Sequence, residues 1–255
     1  MATPTLDELP LRARKQARTR LALVDAALAR LAGPTIAGTP SLDDLAVKEL
    51  CAAAGISEAS FFNYFPQKSD LLVYFVQLWS LELAGRVHAL PAGTPARAAI
   101  EDIFVATARQ ARERPRVMAE LLAHQARLAA PPDVAELPLV DRLTAFPDRP
   151  ELARLPSVGL DGLLPPLLAR AVAEGALPAH VDRQAAFLGL AALFVGIPTL
   201  VLRIDPALVE PAYRAQLALY WAGLAATPSP APPPPPARRP ARLTGGRAGR
   251  PRRSR

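Results

Sequence analysis

An all-α fold is predicted by three features of this 255-residue chain. Apolar residues recur at spacings of three and four along most of its length, and no alternating strand pattern of useful length interrupts them. The breaks between the apolar stretches are rich in proline and glycine, the residues that end helices. Residues 43 to 68 set an apolar-faced helix, a glycine bend and a short polar-aromatic helix in immediate succession, the layout of a helix-turn-helix.

That segment comes first because it carries the most chemistry. Val47, Leu50, Cys51 and Ala54 give residues 43 to 54 one apolar face that packs on a neighbouring helix. Gly55 supplies the positive backbone angle that ends this helix without a steric penalty. Ser57 stands where a hydroxyl caps the next helix, with Ile56 and Phe61 pointing inward to anchor the turn. Glu58, Ala59, Ser60, Phe62, Asn63 and Tyr64 then remain outward, small and polar at the amino end, on a helix that fits a major groove about 12 Å wide.

Residues 55 to 68, together with Thr19, Arg20, Leu23, Val24, Ala26, Ala27 and Leu28 upstream and Leu71 and Leu72 downstream, resemble the DNA-binding domain of the TetR/AcrR family of bacterial transcriptional regulators. The resemblance covers about 55 residues, with a looser match toward the carboxyl end. It implies that Ser57, Glu58, Ala59, Ser60, Phe62 and Asn63 face DNA and that Tyr64 and Lys68 lie against phosphates; Arg20 is expected at the DNA backbone as part of the basic cluster that opens the first helix. Phe62 stands where the family usually has tyrosine, which removes one hydroxyl contact. Extra residues from Gly33 to Pro40 lengthen the link between the first two helices.

After Lys68 the series Leu71, Leu72, Phe75, Val76, Trp79 and Leu83 continues one helix out of the reader domain, resembling the family's connecting helix. Further helices are expected at about 95 to 113, 116 to 129, 160 to 175, 181 to 203 and 206 to 225, separated by breaks such as Pro131-Pro132, Pro147 and Pro150. Residues 185 to 202 are nearly uncharged and reach the lower length for a membrane span. Pro198 interrupts that run and no flanking charge asymmetry supports insertion. A helix apolar all round is equally expected where one face meets its own core and the other a second subunit. Two such helices per subunit make a four-helix bundle across a two-fold axis, as in the TetR family. Phe187, Leu190, Phe194, Tyr213, Leu217, Tyr220 and Leu224 are the residues expected at that homodimer interface.

The net charge of +7 is a property of one end of the chain. Residues 227 to 255 hold eight arginines and no acidic residue, leaving the remainder near −1. This Pro/Arg-rich tail has almost nothing apolar to bury and is expected to be disordered, with its arginines available for sequence-independent DNA affinity. A second basic cluster, Arg12, Arg14, Lys15, Arg18 and Arg20, opens the first helix beside the reader motif. The single cysteine, Cys51, rules out an internal disulfide and a multi-cysteine metal site. No metal or cofactor is expected, and no nucleophile with a base, carboxylate pair or phosphate loop has the spacing an enzyme needs. No apolar run precedes the basic amino-terminal residues, so a cytoplasmic protein, held at the nucleoid by DNA, is expected.

These readings divide the chain into an amino-terminal arm at 1–11, a DNA-binding domain at 12–72, a helical ligand-binding and dimerisation domain at 73–226 and the tail at 227–255. The function that follows is a dimeric repressor on a palindromic operator, released by a small apolar or amphipathic effector. Trp79, Phe104, Met118, Leu121, Leu122 and His124 are candidate residues for the effector pocket. The rival reading is a membrane-associated or nonspecific nucleic-acid adaptor that uses the 185 to 202 run and the arginine tail.

Overall fold

Ten α-helices and three short 3-10 turns make up the regular structure of the described residues, with no strand among them. The computed structural model describes residues 4–228 except 34, 35, 37, 39, 129–135 and 157. The tail from residue 229 onward and the Pro131-Pro132 break lie outside the described residues.

The helices are α1 (Leu11–Arg30), α2 (Val47–Ala54), α3 (Glu58–Tyr64), α4 (Asp70–His88), α5 (Ala96–Glu113), α6 (Pro115–Arg127), α7 (Leu139–Ala145), α8 (Leu160–Ala173), α9 (Arg183–Val201) and α10 (Val209–Ala225). Helices α1 to α3 form the amino-terminal bundle, in which α1 packs on α2 and α4, and α2 on α3. In the body, α5 is surrounded by α4, α6, α8 and α10, while α9 lies against α6, α8 and α10. Leu23, Leu31, Leu50, Phe61 and Leu71 fill the first core, and Ile100, Phe104, Leu164, Leu190 and Tyr213 fill the second. The first core does not stop at the boundary expected between residues 72 and 73. Leu81, Val117, Leu137 and Leu152 pack into the same cluster as α1 to α3.

Pro198 does not break α9; it lies buried within the helix. Proline has no N–H to give the carbonyl four residues earlier, here that of Phe194. The Tyr213 hydroxyl of α10 donates to that carbonyl at 2.6 Å, so the helix continues with its orphaned acceptor satisfied. Burial raises the Tyr213 phenol well above its ordinary range. Helices α9 and α10 also approach closely at Gly189, where an added Cβ would meet the Tyr220 ring, and the Tyr220 hydroxyl donates to the Ala186 carbonyl at 2.8 Å.

The stretch between Pro138 and Leu155, read from sequence as a proline-rich break, is instead α7 followed by a 3-10 turn, Pro150–Arg154. Buried Arg142 fastens it by donating to the carbonyls of Leu137 and Leu155. Helix α7 packs along α1 and against the 3-10 turn that follows it, and that turn in turn contacts α4.

Candidate nucleic-acid interface

The bend between α2 and α3 has the geometry its sequence demands. Gly55 adopts φ 68°, ψ 33° and closes α2, its region left-handed and open to glycine at no steric cost. The Ile56 amide donates to the Cys51 carbonyl at 3.0 Å, a backbone bond that secures the turn. Ser57 caps α3 by accepting from the Ser60 amide, and the two serine hydroxyls lie 2.8 Å apart. Phe61 is fully buried and pins α3 to the bundle, while burial pushes the Cys51 thiol up from its ordinary value.

What α3 leaves outward is Glu58, Ala59, Phe62 and Asn63, all exposed, with Ser60 and Tyr64 half-buried at the edges. The Phe62 ring is 54% exposed and meets Phe61 edge-on at 5.2 Å. Phe62 thus lies half on the core and half in solvent, beside the exposed amide of Asn63. Arg12, Lys15 and Arg18 on the first turns of α1 are likewise exposed.

Two of the expected phosphate contacts are committed inward, and the resemblance alone did not anticipate this. Lys68 sits under the turn that precedes α2, where its ammonium donates to the carbonyls of Leu42, Asp43 and Leu45 at 3.2, 2.7 and 3.0 Å. An ammonium has three donors, so all are spent. Arg20 leaves α1 toward α7, where Nε and Nη2 donate to the two carboxylate oxygens of fully buried Asp141 at 2.8 and 2.7 Å. The Tyr74 hydroxyl donates to the same carboxylate at 2.5 Å. Asp141 holds the Arg20 guanidinium above its ordinary pKa, and burial, then Asp141, raises the Tyr74 phenol. Arg14 of the basic cluster pairs with Asp7.

The expected pocket residues do not converge on one cavity. Phe104 is fully buried and meets Phe194 and Tyr213 edge-on at 5.4 and 4.9 Å, which closes the centre of the body. Trp79 and Met118 pack on that same body core, and Leu121 on the reader core. Leu122 lines a cleft between α6 and α9, and His124 lines a separate groove beside Phe62 and Lys68.

The expected interface residues also divide. Leu190, Tyr213 and Leu217 are buried inside the protomer, and Phe187, Phe194, Tyr220 and Leu224 are half-buried against the same core. The apolar side chains that α9, α10 and their connection leave to solvent are Leu188, Leu200, Ile204, Leu208 and Leu219, with Leu200 and Ile204 more than 70% exposed. Helix α9 is the one helix among the described residues long and apolar enough to cross a membrane. In this fold it packs against three other helices of the body.

No protein-family sequence model matches the chain, and no curated protein matches it. Solved structures do. A TetR-family transcriptional repressor, FadR of Thermus thermophilus in complex with lauroyl-CoA, superimposes with a TM-score of 0.58 at 19% identity over 84% of this chain and 98% of that one. The fold is that of the TetR-type transcriptional regulators. A TetR transcription regulator from Haloarcula marismortui gives a TM-score of 0.53 at 18% identity, covering 82% of this chain and 97% of its own. RolR in complex with resorcinol gives 0.50 at 16% identity, covering 86% and 98%. The all-α architecture expected from the sequence is therefore the observed one, in a TetR-type arrangement with the Gly55 bend and α3 at its surface.

Proposed function

We propose that this protein is a dimeric, sequence-specific DNA-binding transcriptional regulator whose α3 enters the major groove. The observation that carries the reading is α3 itself: a capped helix beyond the Gly55 bend, pinned by Phe61, with Glu58, Ala59, Phe62 and Asn63 free of other duties. Asn63 suits adenine, Ala59 a thymine methyl and Glu58 the cytosine amino group. Arg12, Lys15 and Arg18 supply phosphate contacts from α1 in place of Arg20 and Lys68.

A single α3 touches too few bases for useful specificity, and a two-fold partner doubles the reading. The exposed Leu188, Leu200, Ile204, Leu208 and Leu219 supply the apolar face for a second copy, the arrangement in which α9 and α10 of both subunits form a four-helix bundle. The protein is a repressor that acts in the cytoplasm and is released by a small molecule, as the ligand-bound TetR-type neighbours suggest. Selecting random DNA fragments with the purified protein and sequencing those retained tests the reading. An enriched palindrome is expected, and retention without sequence preference would refute it.

A further inference from the structure

On the outward face of α3, Glu58 and Phe62 are neighbours one turn apart. Four residues of a helix with 3.6 per turn bring them within about 40° of each other around the axis, their Cβ atoms about 5 to 6 Å apart. The Glu58 carboxylate is exposed, with no ion-pair or hydrogen-bond partner among the described residues. The Phe62 ring is 54% exposed and rests against fully buried Phe61, with 81° between the ring planes. Ala59 and then Asn63 follow around the helix, so the face presents a carboxylate, a ring, a methyl and an amide in that order. The polar groups nearby are already engaged. Ser57 and Ser60 bond each other at the amino end of α3, and Lys68 is spent on the carbonyls before α2.

Both members of the pair are unfavourable against most of a DNA groove. An unpaired carboxylate is repelled by phosphates and by the acceptors of guanine and thymine, and a ring that covers a polar base atom removes its water without replacing the bond. Only adenine N6 and cytosine N4 donate hydrogen bonds in the major groove, so the carboxylate requires one of these two bases. On adenine the atom beside N6 is N7, an acceptor that the Phe62 ring would desolvate. On cytosine the atom beside N4 is C5, which is apolar. Thymine carries a methyl on C5 but sets the O4 acceptor beside it, where the carboxylate would stand.

The geometry points to DNA methylated at C5 of cytosine as the form this helix prefers, with Glu58 accepting from N4 and the Phe62 ring covering the C5 methyl of the same base. The inference rests on the regulator reading and adds the modification state of the DNA. Covering one methyl removes about as much apolar area from water as burying one methylene, which corresponds to a gain of about fourfold in affinity per half-site. Two copies of α3 on a two-fold site, each over one such base, gain about fifteenfold.

Selection by the full chain from two random duplex libraries, one with ordinary cytosine and one with every cytosine methylated at C5, followed by fluorescence anisotropy on the recovered duplexes, tests the inference. A palindrome with a fixed cytosine in each half-site is expected, bound about fifteenfold more tightly when those two cytosines are methylated. Phe62→Ala should bring that ratio to one and keep the choice of cytosine over thymine. Glu58→Gln, whose amide can donate to O4, should accept thymine at that position and prefer it to deoxyuridine, which lacks the methyl. Both side chains are exposed, so circular dichroism should show the helical content of each variant unchanged. Equal affinity for the methylated and unmethylated forms of an enriched palindrome overturns this inference and leaves the regulator reading standing. So does a palindrome with no fixed cytosine, or a preference for the methyl that survives Phe62→Ala. Retention from both libraries without sequence preference overturns the regulator reading and this inference with it.

Discussion

Arg20 in α1 grips Asp141 in α7 through two parallel hydrogen bonds, 121 residues apart in sequence. Asp141 is fully buried and takes a third bond from Tyr74 of the connecting helix, so one carboxylate joins α1, α4 and α7. A bidentate pair of this kind fixes orientation as well as distance. The relative orientation of these three helices is fixed here.

Removing the cation should therefore cost far more than a surface charge does. Arg20→Ala leaves a buried carboxylate with only Tyr74 as partner, and breaking a buried pair costs about 3 to 5 kcal/mol. Urea unfolding is expected to show a loss of that order, and Arg20→Ala combined with Asp141→Leu should recover part of it. A loss below about 1 kcal/mol, the level of exposed ion pairs, would count against the latch.

Lys68→Ala should act on the fold and not on counterion release. Its three bonds to the carbonyls before α2 are expected to be worth about 1 to 3 kcal/mol of stability together, a value discounted for partial solvent access. The salt dependence of DNA binding should keep its slope. Arg18→Ala should lower that slope by about 0.9 and leave unfolding unchanged. If Lys68→Ala flattens the salt dependence instead, its ammonium leaves the carbonyls for phosphate in the complex.

The Gly55 bend, the Ser57 cap, the inward Phe61 and the spans of α5, α6, α8, α9 and α10 were legible because each rests on local rules of period, cap and turn. Helix α7 was not. The seven residues Leu139–Ala145 give too few turns for a period to show. Spacing likewise marks Arg20 and Lys68 as basic at the right places but is silent on partners that only tertiary packing supplies. The three-and-four pattern in α9 and α10 finds the stripe that faces the protomer's own core, through Leu190, Tyr213 and Leu217. The outward Leu188, Leu200 and Leu219 fall off that stripe.

Alkaline pH should weaken the fold through Tyr213 and Tyr74. Their phenols are raised in the native state, so the folded protein keeps protons that unfolded tyrosines release near about pH 10. Their contribution is fully present below that value and is lost as pH rises above it. Tyr213→Phe should lose about 1 to 3 kcal/mol at neutral pH, because the Phe194 carbonyl beneath Pro198 is left without a donor. Above pH 10 the variant's stability should fall less steeply, by up to about 1.4 kcal/mol per pH unit. An unchanged slope in chemical denaturation between pH 9 and 11 would mean that Tyr213 does not stay protonated.

The exposed pair on α9 and its exit tests the proposed subunit contact separately from the protomer's own core. Leu200 and Ile204 are 73% and 76% exposed, so a charge at either position costs the protomer almost nothing by itself. Buried between two copies, the same charge meets its own symmetry mate and lacks a counter-ion, which is strongly unfavourable. Leu200→Asp is therefore expected to leave the helical content intact, to convert a dimer into a monomer by light scattering coupled to gel filtration, and to reduce selection of palindromic DNA. Leu190→Asp, inside the core, should unfold the chain instead. A Leu200→Asp protein that remains dimeric would place the subunit contact on some other face.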